Sequence, residues 1–255
     1  MLLSSTTTPR ATGERASAES AEGRRPSNLI WVMPAKGVGV KAIVVAGGDA
    51  APEDAALLSD AEIVIAADSG AGWLDSCGVL PDLVVGDMDS IDPALLERLA
   101  TQGVAVEKHP AEKDASDVEL ALNRAVAGGA DEVVILGGLR GARLDHELAN
   151  LLLLVDPRWE GIELRVTRGE TTARALNGGN RRELEGVAGD LVTLLPVGGD
   201  ATGVRTEGLR YPLAGEALQS GRSKGLSNEV EHAPASVSLG SGMLLIIETR
   251  KEPNA

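Results

Sequence analysis

Two carboxylates two residues apart, Asp87 and Asp89, follow the apolar run Leu83-Val84-Val85 and precede a helix-like segment over 93–100. Side chains two apart in an extended strand point to one face, so the pair predicts a shared oxygen-ligand site for a hard cation. The pattern recurs at Asp68 after Ile63-Val64-Ile65-Ala66-Ala67, at Asp114 and Asp117 where a helix opens, and at Asp145 beside Arg143 after another apolar run. Carboxylates gathered this way raise each other's pKa unless cations neutralise them. Magnesium with a polyphosphate ligand satisfies that need, because Mg²⁺ takes one or two carboxylates plus substrate phosphates. In-line phosphoryl chemistry then needs the metal and an arginine to hold charge on the transferring group, and Arg143 and Lys113 both stand close to the acidic positions in sequence.

Plainer roles compete for each residue. A single Asp after a strand also serves as a turn former or helix cap, and Asp117 and Asp145 sit where caps belong. Arg143 and Asp145 would also make a surface ion pair of small energetic weight. His146 reads as structural, and Trp73 and Trp159 as packing residues. Other chemistries lack their motifs. No G-x-x-x-x-G-K-[ST] loop, no G-x-G-x-x-G after a strand, no kinase signature and no G-x-S-x-G elbow occurs. One cysteine and three histidines leave no zinc-ligand spacing.

The elements that must position these residues alternate. A β-branched run at 42–46 closes at Gly47-Gly48 and reads as a buried first strand. A helix over 52–58, a strand over 62–67, a helix over 71–77 and a strand over 83–85 follow. Asp92-Pro93 caps and starts the next helix, 104–106 is a strand, and Ser116 with Glu119 fits a capping box for a helix running to about 127. A strand over 132–136, a helix over 146–155 capped by Asp145, and a strand over 162–166 complete the series. Such alternation predicts an α/β domain over 41–170 with a mostly parallel, doubly wound sheet. From 171 to 250 the reading is an all-β sandwich, with strands at 191–195, 236–239 and 243–248. Residues 1–40, rich in Ser, Thr, Ala, Arg and Gly without apolar period, read as a disordered extension.

Composition narrows the function. At 255 residues the chain is 43% hydrophobic but only 2% aromatic, so its core must be Val, Leu, Ile and Ala, which suits strands buried on both faces. A net charge of −14 argues against a nucleic-acid or anionic-membrane surface. Cys77 alone permits no intrachain disulfide, pointing to the cytoplasm, and no apolar run approaches bilayer length.

Ordered motifs over 66–71, 81–90, 112–122, 137–150, 208–213 and 225–229 together resemble the thiamine pyrophosphokinase family across about residues 42 to 248. The resemblance implies transfer of pyrophosphate from the co-substrate ATP to the hydroxyethyl oxygen of thiamine, releasing AMP. It also implies an ATP- and Mg²⁺-binding α/β domain and a thiamine-binding, dimerising β-sandwich, assembled as a homodimer with sites between subunits. Carried over by motif position, Asp68, Asp87, Asp89, Asp114 and Asp145 are metal-associated, and Lys113, Asp114, Arg143 and Asp145 face ATP. Asp87, Asp117 and Arg143 take the catalytic roles, while Tyr211, Ser227 and Asn228 face thiamine. The chain departs from the family pattern at Ser69 and Gly72 in the first motif, where Gly and Asn are usual, and at Ser116, where Thr is usual. Competing readings are the same transfer to another alcohol, such as a hydroxymethylpterin, and a non-catalytic nucleotide-binding protein.

Overall fold

The computed structural model describes residues 39–251. The expected disordered extension therefore lies outside the described residues, except for Gly39 and Val40. Val40 is buried, and its N–H donates to Asp131 at 2.8 Å, so this residue just before the first strand is packed into the fold.

Six strands run parallel: β1 (Lys41–Val45), β2 (Ile63–Ala67), β3 (Leu83–Gly86), β4 (Ala105–Lys108), β5 (Glu132–Leu136) and β6 (Glu163–Arg168), in the spatial order β6-β5-β1-β2-β3-β4. Val44, Ile65, Val84, Val134 and Ile135 are fully buried, which is what short β-branched runs covered on both faces require. The helices α1 (Gly70–Ser76), α2 (Pro93–Thr101), α3 (Asp117–Ala127) and α4 (Leu144–Leu153) supply the covers. Leu74 of α1 and Leu95 and Leu99 of α2 pack into one apolar layer; Val118, Ala121, Leu122 and Ala125 of α3 pack into the other. The helix expected over 52–58 is a 3₁₀ helix, Pro52–Asp60.

Local signals explain the helix starts. Asp92 accepts a bond from the Ala94 N–H, with Pro93 at the first helical position. Ser116 accepts from the Glu119 N–H at 3.2 Å, but the Glu119 carboxylate binds Arg158 at 2.7 Å, so only the serine half of the expected capping box forms. Asp145 does not cap α4. The helix begins two residues earlier than expected, at Leu144 after Arg143, and Asp145 lies within its first turn, where a carboxylate still favours the helix dipole.

Beyond β6 the sheet does not end. A tight turn at Gly169 reverses the chain into β7 (Thr171–Asn177), which pairs antiparallel with β6. There follow β8 (Arg181–Leu184), β9 (Leu191–Pro196), β10 (Ala201–Glu207), β11 (Ala214–Leu218), β12 (Asn228–Glu229), β13 (Ala235–Ser238) and β14 (Met243–Thr249). Strands β7, β14, β9 and β12 extend the first sheet to ten strands, and a separate antiparallel sheet has the order β11-β10-β13-β8. Leu176, Leu194, Leu244 and Ile246 from the first sheet meet Val204, Leu218 and Val237 from the second in a shared core. The boundary expected near residue 170 thus falls at a hairpin inside one continuous sheet.

Candidate active site

Strand order reverses between β1 and β5, and ligands of open α/β sheets bind outside the carboxyl ends of strands at such a point. A cavity of about 680 Å³ lies there. It is lined from the ends of five strands: Gly47 and Gly48 after β1, Asp68 after β2, Asp87 and Asp89 after β3, the 111–118 segment after β4, and Gly137, Gly138 and Arg143 after β5.

Asp68, Asp87 and Asp89 each offer an oxygen, all within 4.8 Å of one another. The pair converges for a reason other than strand alternation. The strand stops at Gly86, Met88 takes φ +65°, and the Asp89 N–H donates to Asp87 Oδ1 at 3.2 Å, so a turn gathers the two carboxylates. Asp68, itself at φ +46°, is held by its N–H to Val85 O at 2.9 Å. Its Oδ1 is buried with no hydrogen-bond partner. Burial pushes the Asp68 carboxyl up; Ser90 opposes this, while Asp117, Asp87 and Asp89 add to it. An orphaned carboxylate oxygen beside two more is a donor set that fits a hard divalent cation.

Lys113 spans the rim of this cluster, its Nζ 3.0 Å from Asp117 Oδ1 and 3.5 Å from Asp87 Oδ2. Partial burial pulls the ammonium down, but the bonds and charges of Asp117 and Asp87 outweigh it and hold Lys113 above the usual lysine value. Asp87 is held below the usual carboxylate range by the Asp89 N–H and then by Lys113. Gly86, at φ +153°, makes the close approach possible: a Cβ there would lie 3.1 Å from both Asp117 Oδ1 and the Asp68 Cβ.

The remaining first-half residues divide. Asp114 is exposed and lines the cavity. Arg143 also lines it, but Asp145 does not: both its oxygens receive bonds from the Arg143 guanidinium, and both side chains are largely exposed. Asp145 is thus not gathered with the Asp68 trio, because as the second residue of α4 it is engaged by the arginine that precedes the helix. Sequence pattern alone assigns no role to Ser90, to Asn150, or to the glycine pairs after β1 and β5, all of which line the cavity. The Gly-Gly pairs after buried runs were the available signal for the last of these. A Cβ at Gly48 would lie 2.3 Å from Gly137 O, so the two loops touch backbone to backbone.

With the cavity defined, likeness to known proteins bears on it. The family model "Thiamin pyrophosphokinase, catalytic domain" matches residues 55–166, and "Thiamin pyrophosphokinase, vitamin B1 binding domain" matches 181–244. The chain belongs to the thiamin pyrophosphokinase family. A curated thiamine pyrophosphokinase of Bacillus subtilis is 27% identical over 208 residues, covering 81% of this chain and 97% of that one. The crystal structure of the B. subtilis protein superposes with a TM-score of 0.75, covering 83% of this chain and all of that one. Yeast thiamin pyrophosphokinase shares the fold at 13% identity, with a TM-score of 0.69 over 86% of this chain and 88% of its own.

Within this member of the thiamin pyrophosphokinase family, Tyr211, Ser227 and Asn228 all fall in the segment matching the vitamin B1 binding model. None of them lines the cavity that holds the aspartates. The Asn228 amide acts as a brace: Oδ1 accepts the Tyr211 N–H at 3.1 Å and the Glu229 N–H at 2.9 Å, and Nδ2 donates to Tyr211 O at 2.8 Å. Asn228 therefore shapes the Tyr211 loop in place of a backbone pair. Ser227, at φ +55°, is exposed and is tied by its N–H to Thr193 Oγ1 at 3.0 Å. Tyr211 is 63% exposed, with the Arg210 guanidinium 5.8 Å from its ring centroid.

Proposed function

We propose that the chain is a thiamine pyrophosphokinase, moving the pyrophosphoryl group of ATP to the hydroxyethyl oxygen of thiamine and releasing AMP. The observation that carries this is the Asp68, Asp87 and Asp89 trio, at the strand-order reversal and inside the segment matching the family's catalytic model.

Asp68, Asp87 and Asp89 would hold Mg²⁺, which when bound supplies positive charge to the polyphosphate oxygens. The chain's own groups do the rest. Lys113 stays protonated beside the trio and offers its ammonium to the same oxygens. Arg143, on an exposed loop at the cavity's edge, exchanges Asp145 for the transferring phosphoryl group, a trade between two bidentate oxygen partners. Asp117 shares the Gly86 cradle with Asp68, and in this reading it is the carboxylate that takes the proton of the acceptor hydroxyl. Asp114 lines the same cavity and would serve as a further ligand to the nucleotide's ion. Because the β-phosphorus must lie in line between attacking and leaving oxygens, positioning carries much of the rate.

Division of labour follows the same lines. The half before residue 170 handles ATP, and the half from 171 handles thiamine, through the Tyr211 ring and the Ser227 turn. A cationic ring suits an exposed aromatic face. Since those residues do not reach the acidic cavity of their own chain, a second copy supplies them. On α4, Leu144, Leu148 and Leu152 are 68%, 52% and 55% exposed, an apolar stripe on the helix whose His146, Glu147 and Asn150 line the cavity. Tyr211 and Leu226 of a second copy are the matching exposed apolar groups.

Purified protein with ATP and Mg²⁺ should release AMP only when thiamine is present, with thiamine diphosphate identified by mass. AMP release indifferent to thiamine, or product formed equally from a hydroxymethylpterin, refutes the acceptor. Light scattering should give a dimer that Leu148→Asp dissociates; a monomeric parent with full activity refutes the shared site.

A further inference from the structure

The loop leaving β5 is pinned at both of its first carbonyls. Gly137, at φ +65°, accepts the Gly48 N–H at 3.0 Å, and Gly138 accepts Asn150 Nδ2 at 3.0 Å. Asn150 is 7% exposed in α4, and the bond to Gly138 is itself buried. Gly138 is closely covered where a side chain would stand, since a Cβ there would sit 3.1 Å from Ile135 Cγ2, 3.2 Å from Val166 Cγ1 and 3.6 Å from Asn150 Nδ2. Five residues later the same loop delivers Arg143, and Gly137, Gly138, Gly141, Arg143 and Asn150 line one wall of the cavity.

A carbonyl left free on the wall of a polyphosphate site would turn its negative end toward the anion. A buried carbonyl without a donor also carries the full cost of its desolvation. The Asn150 amide removes both problems at Gly138, as the Gly48 N–H does at Gly137. We propose that Asn150 is a positioning residue for the transfer reaction: by holding the Gly138 carbonyl inside the fold, it fixes the loop that presents Arg143 to the nucleotide. The inference rests on the pyrophosphokinase reading for its kinetic consequences. Its structural half, that Asn150 orders residues 138–143, stands without that reading.

The test pairs kinetics with amide exchange. Asn150→Leu removes the donor at similar bulk, and Asn150→Asp sets a carboxylate against the Gly138 oxygen; Asn150→Ser serves if either fails to fold. Each should lower kcat by about 10²-fold, the scale of a misplaced catalytic group, with the KM for thiamine nearly unchanged. In an Arg143→Met background the same substitutions should lower kcat no further, because they act through that arginine. Amides over 138–143 should exchange faster in the Asn150 variants, while those of β1 and β2 keep their protection. A kcat near that of the parent, full multiplicative losses in the double variants, or unchanged exchange over 138–143 overturns the proposal. A parent that turns over no thiamine refutes the pyrophosphokinase reading instead, and the exchange measurement still decides whether Asn150 orders the loop.

Discussion

Replacing Gly86 with alanine tests how the acidic cluster is assembled. The residue ends β3 at φ +153°, a conformation that costs a side-chain-bearing residue about 1–3 kcal/mol. The new methyl carbon would also sit 3.1 Å from Asp117 Oδ1 and 3.1 Å from the Asp68 Cβ, so both carboxylates must give by a few tenths of an ångström. Overpacking of this kind adds about 1 kcal/mol. Together the two effects come to about 3 kcal/mol, or a melting temperature lower by about 6–12 °C for a domain of this size. A displacement of about half an ångström at the cluster should lower kcat by roughly 10-fold, scaling from the 10²-fold loss typical of a full ångström. Scanning calorimetry and AMP release under saturating ATP and thiamine read the two effects separately. A Gly86→Ala protein as stable and as active as its parent would refute the argument that this glycine lets Asp68 and Asp117 close on each other.

Gly72 offers the opposite sign. It lies on the exposed side of α1 with nothing within 4 Å of where an added methyl group would stand, so Gly72→Ala should raise stability by about 0.5–1 kcal/mol through reduced unfolded-chain entropy, seen as a higher denaturation midpoint. Removing Lys113 should split two affinities: Lys113→Ala frees Asp87 and Asp117, so Mn²⁺ alone binds about threefold or more tightly while ATP binds more weakly, both by calorimetry. Glu107 accepts two bonds from Arg124, at 2.7 and 2.6 Å, and these hold its carboxyl below the ordinary glutamate value of 4.5. Its stabilisation is therefore present above pH 4.5 and lost as pH falls through the lower folded value. Glu107→Gln should cost at most about 1 kcal/mol at neutral pH, with the two denaturation curves converging in acid; a gap that persists in acid contradicts the linkage.

Much of the fold was legible because buried parallel strands need unbroken β-branched runs, and 42–46, 62–67 and 132–136 supply them with turn residues at each end. Asp68, Asp87 and Asp89 were legible for the same reason, as acidic groups at the ends of such runs, and Asp117 as the acidic residue that opens a helix. Their geometry was not. The sequence suggested strand alternation for Asp87 and Asp89, whereas the structure uses a turn at Met88, a conformation set by where β3 stops pairing with β4. Spacing alone placed Asp145 with the other carboxylates and at a helix cap; only the folded chain shows Arg143 taking both its oxygens.

What the sequence determined by itself was the inventory: which segments bury both faces, which carboxylates leave them, and the order of motifs that marks the family. Three-dimensional packing decided which of these groups meet. The reversal of strand order at β1 and β5, the backbone contact between Gly48 and Gly137, and the buried bond from Asn150 to Gly138 join residues about 90 positions or only 12 apart with equal ease. No local period encodes them, because sheet order is set by burial of the whole apolar surface and not by any one stretch of chain. The same holds for the second half, where the antiparallel strands join the first sheet and leave Tyr211 and Ser227 away from the acidic cavity of their own chain.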